Sequence, residues 1–141
     1  GRHLARVIQH KFRENNYDMT AWNGWCEENL GNCPHLKYLA ASSLEGQLYG
    51  NSNAEEFPVT DVEAKQLIEV VKCNEPKPAT FNKEHYVYLR GDSNFWMGRR
   101  DQKTLFICIG PKYVVYGLSD DKEKAGAGRA AFSEICKVAM I

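Results

Sequence analysis

The chain has 141 residues, of which 43% are hydrophobic and 26% are charged, a composition typical of one soluble globular domain. Eighteen basic residues balance eighteen acidic ones, so the overall charge gives no support to nucleic-acid binding or to bulk membrane binding. The first residues lack the apolar core of a secretion signal, and no apolar run reaches the roughly 18 residues that a bilayer span requires. We therefore expect a cytoplasmic protein.

The beginning of the chain differs from the rest. Residues 1–18 are basic and polar and carry only a weak stripe of apolar residues at helical spacing. Such a stripe is too short to form a stable helix on its own. We interpret residues 1–18 as a flexible N-terminal extension and residues 19–141 as the folded domain.

A helix and a hairpin are predicted next. Thr20 is a suitable N-cap for a helix that runs to about Leu30, where a Gly-Asn pair favours its end. The run LKYLAASS then predicts a strand, Glu45–Gly46 a turn, and QLYG the returning strand.

The following helix has a clear start signal. Thr60 and Glu63 have the spacing of a capping box, in which each side chain satisfies a free backbone N–H of the first turn. Apolar residues at helical spacing follow, and they are Val62, Leu67, Ile68 and Val71. This pattern predicts a helix with one face in the core.

The second half of the chain predicts an antiparallel meander and a final helix. After the breaker stretch NEPKPAT come four strand-like runs separated by turn residues: HYVYLR, NFWMGRR, TLFICIG and KYVVYGL. Residues from about Lys122 to Ala139 then predict a C-terminal helix. The order of helices and strands indicates an α+β layer fold in which both terminal helices can share one face of the sheet.

No pattern indicates catalysis or a metal. The five cysteines include no C-x-x-C pair, and the four histidines are too widely scattered for a metal site or a catalytic triad. The odd number of cysteines also argues against a closed disulfide framework, so we expect most of them to be buried thiols. There is no P-loop and no GxSxG motif. We predict a protein that is not an enzyme and needs no cofactor.

Trp22 and Trp25 lie three residues apart on the first predicted helix, so their side chains are neighbours on one face. Two interpretations are open. Both indoles can belong to the core, or they can form a ligand platform, since an indole offers a flat apolar face and one N–H donor.

Three segments resemble the profilins, small proteins that bind actin monomers. MTAWNGW resembles the family's start, and LAASSLEGQLYG its first hairpin, with Tyr49 where the family usually has Trp. WMGRRDQKTLFICIGPKYVVYGLSD resembles the family's basic turn and the two strands after it. The likeness covers Met19 to Ile141. It implies an α+β fold: an antiparallel sheet with the N- and C-terminal helices on one face and a further helix on the other.

The resemblance also implies a function. It predicts a monomeric cytoskeletal protein that binds monomeric actin and so regulates filament assembly, with further sites for proline-rich proteins and phosphoinositide headgroups. In the family, actin contacts the meander strands and the last helix, and the basic residues at matching positions are Arg90, Arg99, Arg100, Lys103 and Arg129. The positions that match the proline groove are Trp22, Trp25, Tyr49, Ile135 and Ile141.

This sequence departs from the family at several of these positions. Cys108 and Ile109 stand where family members usually carry lysines, and Ile135 and Ile141 stand where aromatic or histidine side chains are usual. A second interpretation therefore stays open, a roadblock- or longin-like α+β scaffold that dimerises through its sheet and uses the aromatic residues as core.

Overall fold

In a computed structural model, which describes residues 19–139, seven strands form one sheet with helices on both faces. The predictions for residues 1–18 and for Ile141 lie outside the described residues. The helices are Met19–Gly31 (α1), Asp61–Lys72 (α2) and Ala125–Ala139 (α3). The strands are Tyr38–Ser43 (β1), Leu48–Asn51 (β2), Ala79–Phe81 (β3), Glu84–Gly91 (β4), Phe95–Arg100 (β5), Lys103–Ile109 (β6) and Tyr113–Ser119 (β7). Within this part of the chain, no helix has the length and apolar character needed to cross a bilayer.

The sheet has the strand order β2-β1-β7-β6-β5-β4-β3, and every neighbouring pair is antiparallel. Helix α1 packs mainly on β1 and β2, and α3 packs on β6 and β7. Both helices enclose one buried cluster, whereas α2 encloses a second cluster on the opposite face. The predicted fold class, with the terminal helices on one face and the third helix on the other, is confirmed.

Local signals decide where α2 begins and which face it buries. The Thr60 side chain caps the helix by accepting a hydrogen bond from the backbone N–H of Glu63, at 3.2 Å. The buried positions, Ala64, Leu67, Ile68 and Val71, follow the helical period. The prediction that Val62 belongs to this stripe is wrong, because Val62 lies two residues before Ala64, on the other side of the helix, and is exposed.

One helix boundary and one strand also differ from the prediction. Helix α1 begins at Met19, so Thr20 lies inside the helix and is not its N-cap. Strand β3 lies in a region that the sequence indicates only as irregular. Its three residues are too few to show an alternating pattern, and its turn to β4 uses Asn82 and Lys83, both with positive φ, where glycine is the usual signal.

The core on the α1/α3 face is largely aromatic. Phe106 of β6 stacks on Phe132 of α3, with ring centroids 5.3 Å apart. Both side chains are fully buried, and Trp25 of α1 is buried in the same cluster. Burial of each of these side chains stabilises the fold by about 2–3 kcal/mol. These contacts hold both terminal helices on the sheet.

Helix α1 approaches β2 so closely at Gly50 that no side chain fits between them. A Cβ atom at this position would lie 2.6 Å from the Cβ of Trp22 and 2.7 Å from its backbone carbonyl carbon. The Asn23 side chain strengthens the contact by accepting a hydrogen bond from the Asn51 N–H, at 2.8 Å. The glycine therefore sets the distance between the helix and the sheet.

We expect Gly50→Ala to lower the free energy of unfolding by about 1–3 kcal/mol, because the backbone of α1 must shift to accept the methyl group. Gly24→Ala is the matched control. Gly24 lies in α1, the helix that packs on Gly50, and a Cβ atom added there would point into open space. We therefore expect Gly24→Ala to raise the free energy of unfolding by about 0.5–1 kcal/mol. Urea unfolding of both variants checks the pair. Equal stability of Gly50→Ala and the parent protein would contradict the close approach.

Candidate binding surfaces

Four aromatic side chains meet at the start of α1, on β2 and at the start of β7. Trp22 lies at their centre, with ring centroids 5.2 Å from Tyr49, 4.9 Å from Tyr113 and 5.7 Å from Trp25. We call Trp22, Trp25, Tyr49 and Tyr113 the aromatic cluster. Sequence reasoning missed Tyr113, because only the pairing of β7 with β1, which places Tyr113 opposite Ser43, brings it to this end of the sheet.

The aromatic cluster is buried. Trp22 is 2% exposed, Trp25 0%, and Tyr49 and Tyr113 3% each. Ile135 of α3 is buried in the same core cluster. The indole Nε1 of Trp25 has no hydrogen-bond partner among the described residues. The predicted groove residues in this part of the chain therefore share one core, but their rings present no open face for stacking.

A second surface lies on the same side of the sheet, where α1 and α3 leave β4 and the end of β5 uncovered. Val87 is paired with Arg99, and Arg90 with Met97. Directly paired residues point to the same face. Met97 is in turn paired with Phe106, whose ring contacts α3, so all four side chains point to the α3 side. Met97 is itself buried in the core beside α3, so we call Val87, Arg90 and Arg99 the uncovered face.

The predicted basic residues divide between the two faces of the sheet. Arg100 follows Arg99 on the same strand, so its side chain points to the opposite face, the one that carries α2. There Arg100 Nε lies 2.8 Å from Glu84 Oε2, and Lys103 Nζ lies 2.9 Å from Glu84 Oε1. The hydrogen bond from Lys103, together with the one from Arg100, lowers the pKa of Glu84. Arg100 and Lys103 thus bind a carboxylate of their own chain on the α2 side.

The uncovered face combines apolar and basic groups. Val87 is 65% exposed, and Leu89, at a bulge in β4, is 41% exposed. The Nε atom of Arg99 has no hydrogen-bond partner among residues 19–139. Arg129 of α3 borders this surface, since it lines a cleft together with Phe95 at the start of β5. The structure therefore brings Arg90, Arg99 and Arg129 to one side of the molecule.

The aromatic cluster and the uncovered face lie at opposite ends of the sheet. Three strands, β1, β7 and β6, separate β2 from β5. With neighbouring strands about 4.8 Å apart, Tyr49 on β2 is roughly 19 Å from β5, and Tyr113 on β7 is roughly 10 Å from it. Two ligands can therefore bind without sharing residues.

Across the described part of the chain, no three His, Cys, Asp or Glu side chains are grouped so that they could hold a metal ion.

The sequence matches a family model, described as Profilin, over residues 20–137. The match covers α1 to the last turns of α3, and so includes both surfaces. No curated protein matches the chain significantly.

Solved structures share the fold at low sequence identity. Profilin IA of Acanthamoeba castellanii has a TM-score of 0.73 and 20% identity, over 84% of this chain and 96% of that chain. MglB of Myxococcus xanthus has a TM-score of 0.61 and 13% identity, over 87% of each chain. LokiProfilin2, in a complex with rabbit actin, has a TM-score of 0.53 and 10% identity, over 77% of this chain and 90% of that chain.

Proposed function

Because the chain belongs to the profilin family, we propose that it binds actin monomers through the uncovered face and thereby regulates filament assembly. The observation that carries this proposal is the exposed Val87 directly opposite Arg99, with Arg90 on the same face of β4, where α1 and α3 leave the sheet uncovered. Arginine is enriched in protein interfaces, and large exposed apolar side chains mark interaction surfaces. A protein of similar fold, LokiProfilin2, has been solved in a complex with rabbit actin.

The chemistry of the uncovered face suits an acidic partner. An arginine guanidinium can pair with a carboxylate through two parallel hydrogen bonds. The Arg99 Nε atom, which is itself shielded from solvent, has no hydrogen-bond partner among the described residues. Val87 lies directly opposite Arg99 and is exposed, so a partner that binds this face would bury it. In this arrangement, apolar burial supplies affinity, while the charges guide the partner's orientation and speed association.

The direct test is the spontaneous polymerisation of pyrene-labelled actin from a matching source. A protein that holds monomers lowers the concentration available for nucleation, so we expect a longer lag that grows with the amount of protein added. An unchanged lag at tens of micromolar would remove the actin function and leave only the fold. The heat-denatured protein at the same concentration serves as the control for nonspecific effects.

We further propose that the aromatic cluster binds proline-rich segments of partner proteins. A polyproline II segment is already extended, so it loses little entropy on binding and can stack its rings on aromatic side chains. The Trp25 indole N–H has no hydrogen-bond partner among residues 19–139, and an extended segment presents free carbonyl acceptors, but this group is fully buried and can be reached only if the cluster opens. Trp22 and Tyr49 are buried, so a ligand can stack on them only after their covering contacts are broken. The free energy lost with these contacts makes the site weak.

Binding of both ligands at once would give the protein its regulatory effect. Because the two surfaces use different residues on different strands, a proline-rich partner and an actin monomer can occupy them together. The tethered monomer is then present at high effective concentration beside the partner. We place this activity in the cytoplasm, where actin filaments assemble.

Phosphoinositide headgroups are a third proposed partner. Arg90, Arg99 and Arg129 can attract phosphates, whereas Arg100 and Lys103 are engaged by Glu84. Strong lipid patches contain about four to eight basic side chains, so we expect this interaction to be weaker than actin binding.

The alternative function is a dimerising scaffold. The likeness to MglB agrees with the fold of such a scaffold, but at 13% identity it concerns the fold alone. The match to the profilin family model favours actin.

A further inference from the structure

Two cysteines face each other in a cleft between the β4–β5 turn, β6 and α3. The cleft has a volume of about 340 Å³, and Cys108 of β6 and Cys136 of α3 both line it. Charged groups at its border are Asp92 and Arg129. Cys108 is 4% exposed and Cys136 8%, so both thiols are buried in the wall of a space that small molecules can enter.

The packing of α3 on β6 brings these thiols together. Phe106 and Phe132 stack on each other. Cys108 lies two residues beyond Phe106, about 6.6 Å along the strand, and Cys136 lies four residues beyond Phe132, about 6 Å along the helix. Because these two distances are nearly equal, β6 and α3 bring Cys108 and Cys136 to the same cleft, next to the Phe106–Phe132 stack. The Cys136 thiol donates a hydrogen bond to Cys108, and this bond lowers the pKa of Cys108.

We propose that Cys108 and Cys136 form an oxidation site, a dithiol that a small peroxide such as hydrogen peroxide converts to an intramolecular disulfide. This site is independent of the proposed actin function. Cys108 attacks the peroxide as a thiolate, the O–O bond breaks, and a sulfenic acid and one water form. The Cys136 sulfur then attacks the Cys108 sulfur, the S–O bond breaks, and a second water leaves. Two thiols and one hydrogen peroxide thus give one disulfide and two waters.

The two cysteines have different roles in this sequence. Cys108 is the first nucleophile, because the hydrogen bond from Cys136 favours its thiolate form. The hydrogen bond to Cys108 raises the pKa of Cys136, and burial raises it further. Cys136 therefore stays protonated at first and acts second. Burial raises the pKa of Cys26, which makes that thiol unreactive. Cys73 is exposed and serves as an internal standard for ordinary thiol reactivity.

The test treats the reduced full-length protein with hydrogen peroxide in small molar excess, alkylates the remaining thiols after denaturation, and maps the peptides by mass spectrometry. We expect a cross-linked Cys108–Cys136 peptide, lighter by two hydrogen atoms than the two reduced peptides and released by dithiothreitol. It should form before half of Cys73 is oxidised. The staple should also raise the melting temperature by about 5–15 °C, because it constrains the unfolded chain.

Two variants separate the roles. In Cys136→Ser, Cys108 should stop at the sulfenic acid and be labelled by dimedone, whereas Cys73→Ser should form the disulfide as the parent protein does. The proposal is overturned if Cys108 and Cys136 both remain alkylatable while Cys73 is oxidised. It is also overturned if the only disulfides are between molecules. These two readings come from the parent protein, so they hold even if a serine variant fails to fold.

Discussion

Trp22→Ala is expected to lower the free energy of unfolding by about 3–5 kcal/mol, the range typical of truncating a buried tryptophan. Trp22 is 2% exposed and its ring contacts Trp25, Tyr49 and Tyr113, so the change opens a cavity at the centre of the aromatic cluster. Urea or thermal unfolding measures the loss. Of the two interpretations that the sequence leaves open, the ligand platform predicts a smaller cost and the core agrees with this one.

A matched control lies five residues further along the same helix. Glu27 is exposed, and we expect Glu27→Ala to change stability by less than about 0.5 kcal/mol. For ligand binding, Trp22→Phe keeps a ring in the aromatic cluster and preserves the fold well enough for a titration. Decaproline should perturb the indole fluorescence of the parent protein, and should do so more weakly in Trp22→Phe. A decaproline titration of the parent protein that changes neither fluorescence nor amide shifts at millimolar concentration would return the cluster to a purely structural role.

Replacing Arg90 and Arg99 together by Glu is expected to weaken the binding of actin monomers by more than tenfold, or more than about 1.4 kcal/mol. Both residues belong to the uncovered face, so the substitutions place two negative charges where an acidic partner would dock. Because Arg90 is exposed and Arg99 half-buried at the sheet surface, the fold should persist. Titration with fluorescently labelled monomeric actin at low salt measures the change.

Arg100→Gln is the control for this pair. It lies next to Arg99 in sequence, but its side chain points to the α2 side and pairs with Glu84. We expect the affinity for actin to stay within twofold of the parent protein. An unchanged affinity in the double variant would remove Arg90 and Arg99 from the interface. Equal weakening by Arg100→Gln would show that the partner docks elsewhere.

Much of the fold is readable from local signals. Thr60 and Glu63 mark the start of α2 because capping depends on neighbouring residues, and the four meander strands follow from their turns. Strand β3 escapes prediction, because its existence depends on pairing with β4 and not on its own three residues. Elements with a local cause are thus predictable, and those with a tertiary cause are not.

The candidate sites show the same division. The resemblance identifies Trp22 and Tyr49 as neighbours, and their contact is present. The opposite orientation of Arg99 and Arg100 was available from the two-residue period of a strand, but the role of Glu84 was not, since it requires the register of β4 with β5. Burial is the least predictable property. The sequence around an aromatic residue does not reveal whether its ring is exposed or covered by other side chains.

The edges of the sheet bear on how the protein behaves when it is concentrated. Strands β2 and β3 form the two edges and have only four and three residues. Beyond Tyr86, β4 extends past β3, and there the bulge near Leu89 interrupts its regular hydrogen-bonding pattern. Short or distorted edges give a second sheet little backbone with which to pair. The folded protein can therefore reach high concentrations without adding strand to strand into aggregates.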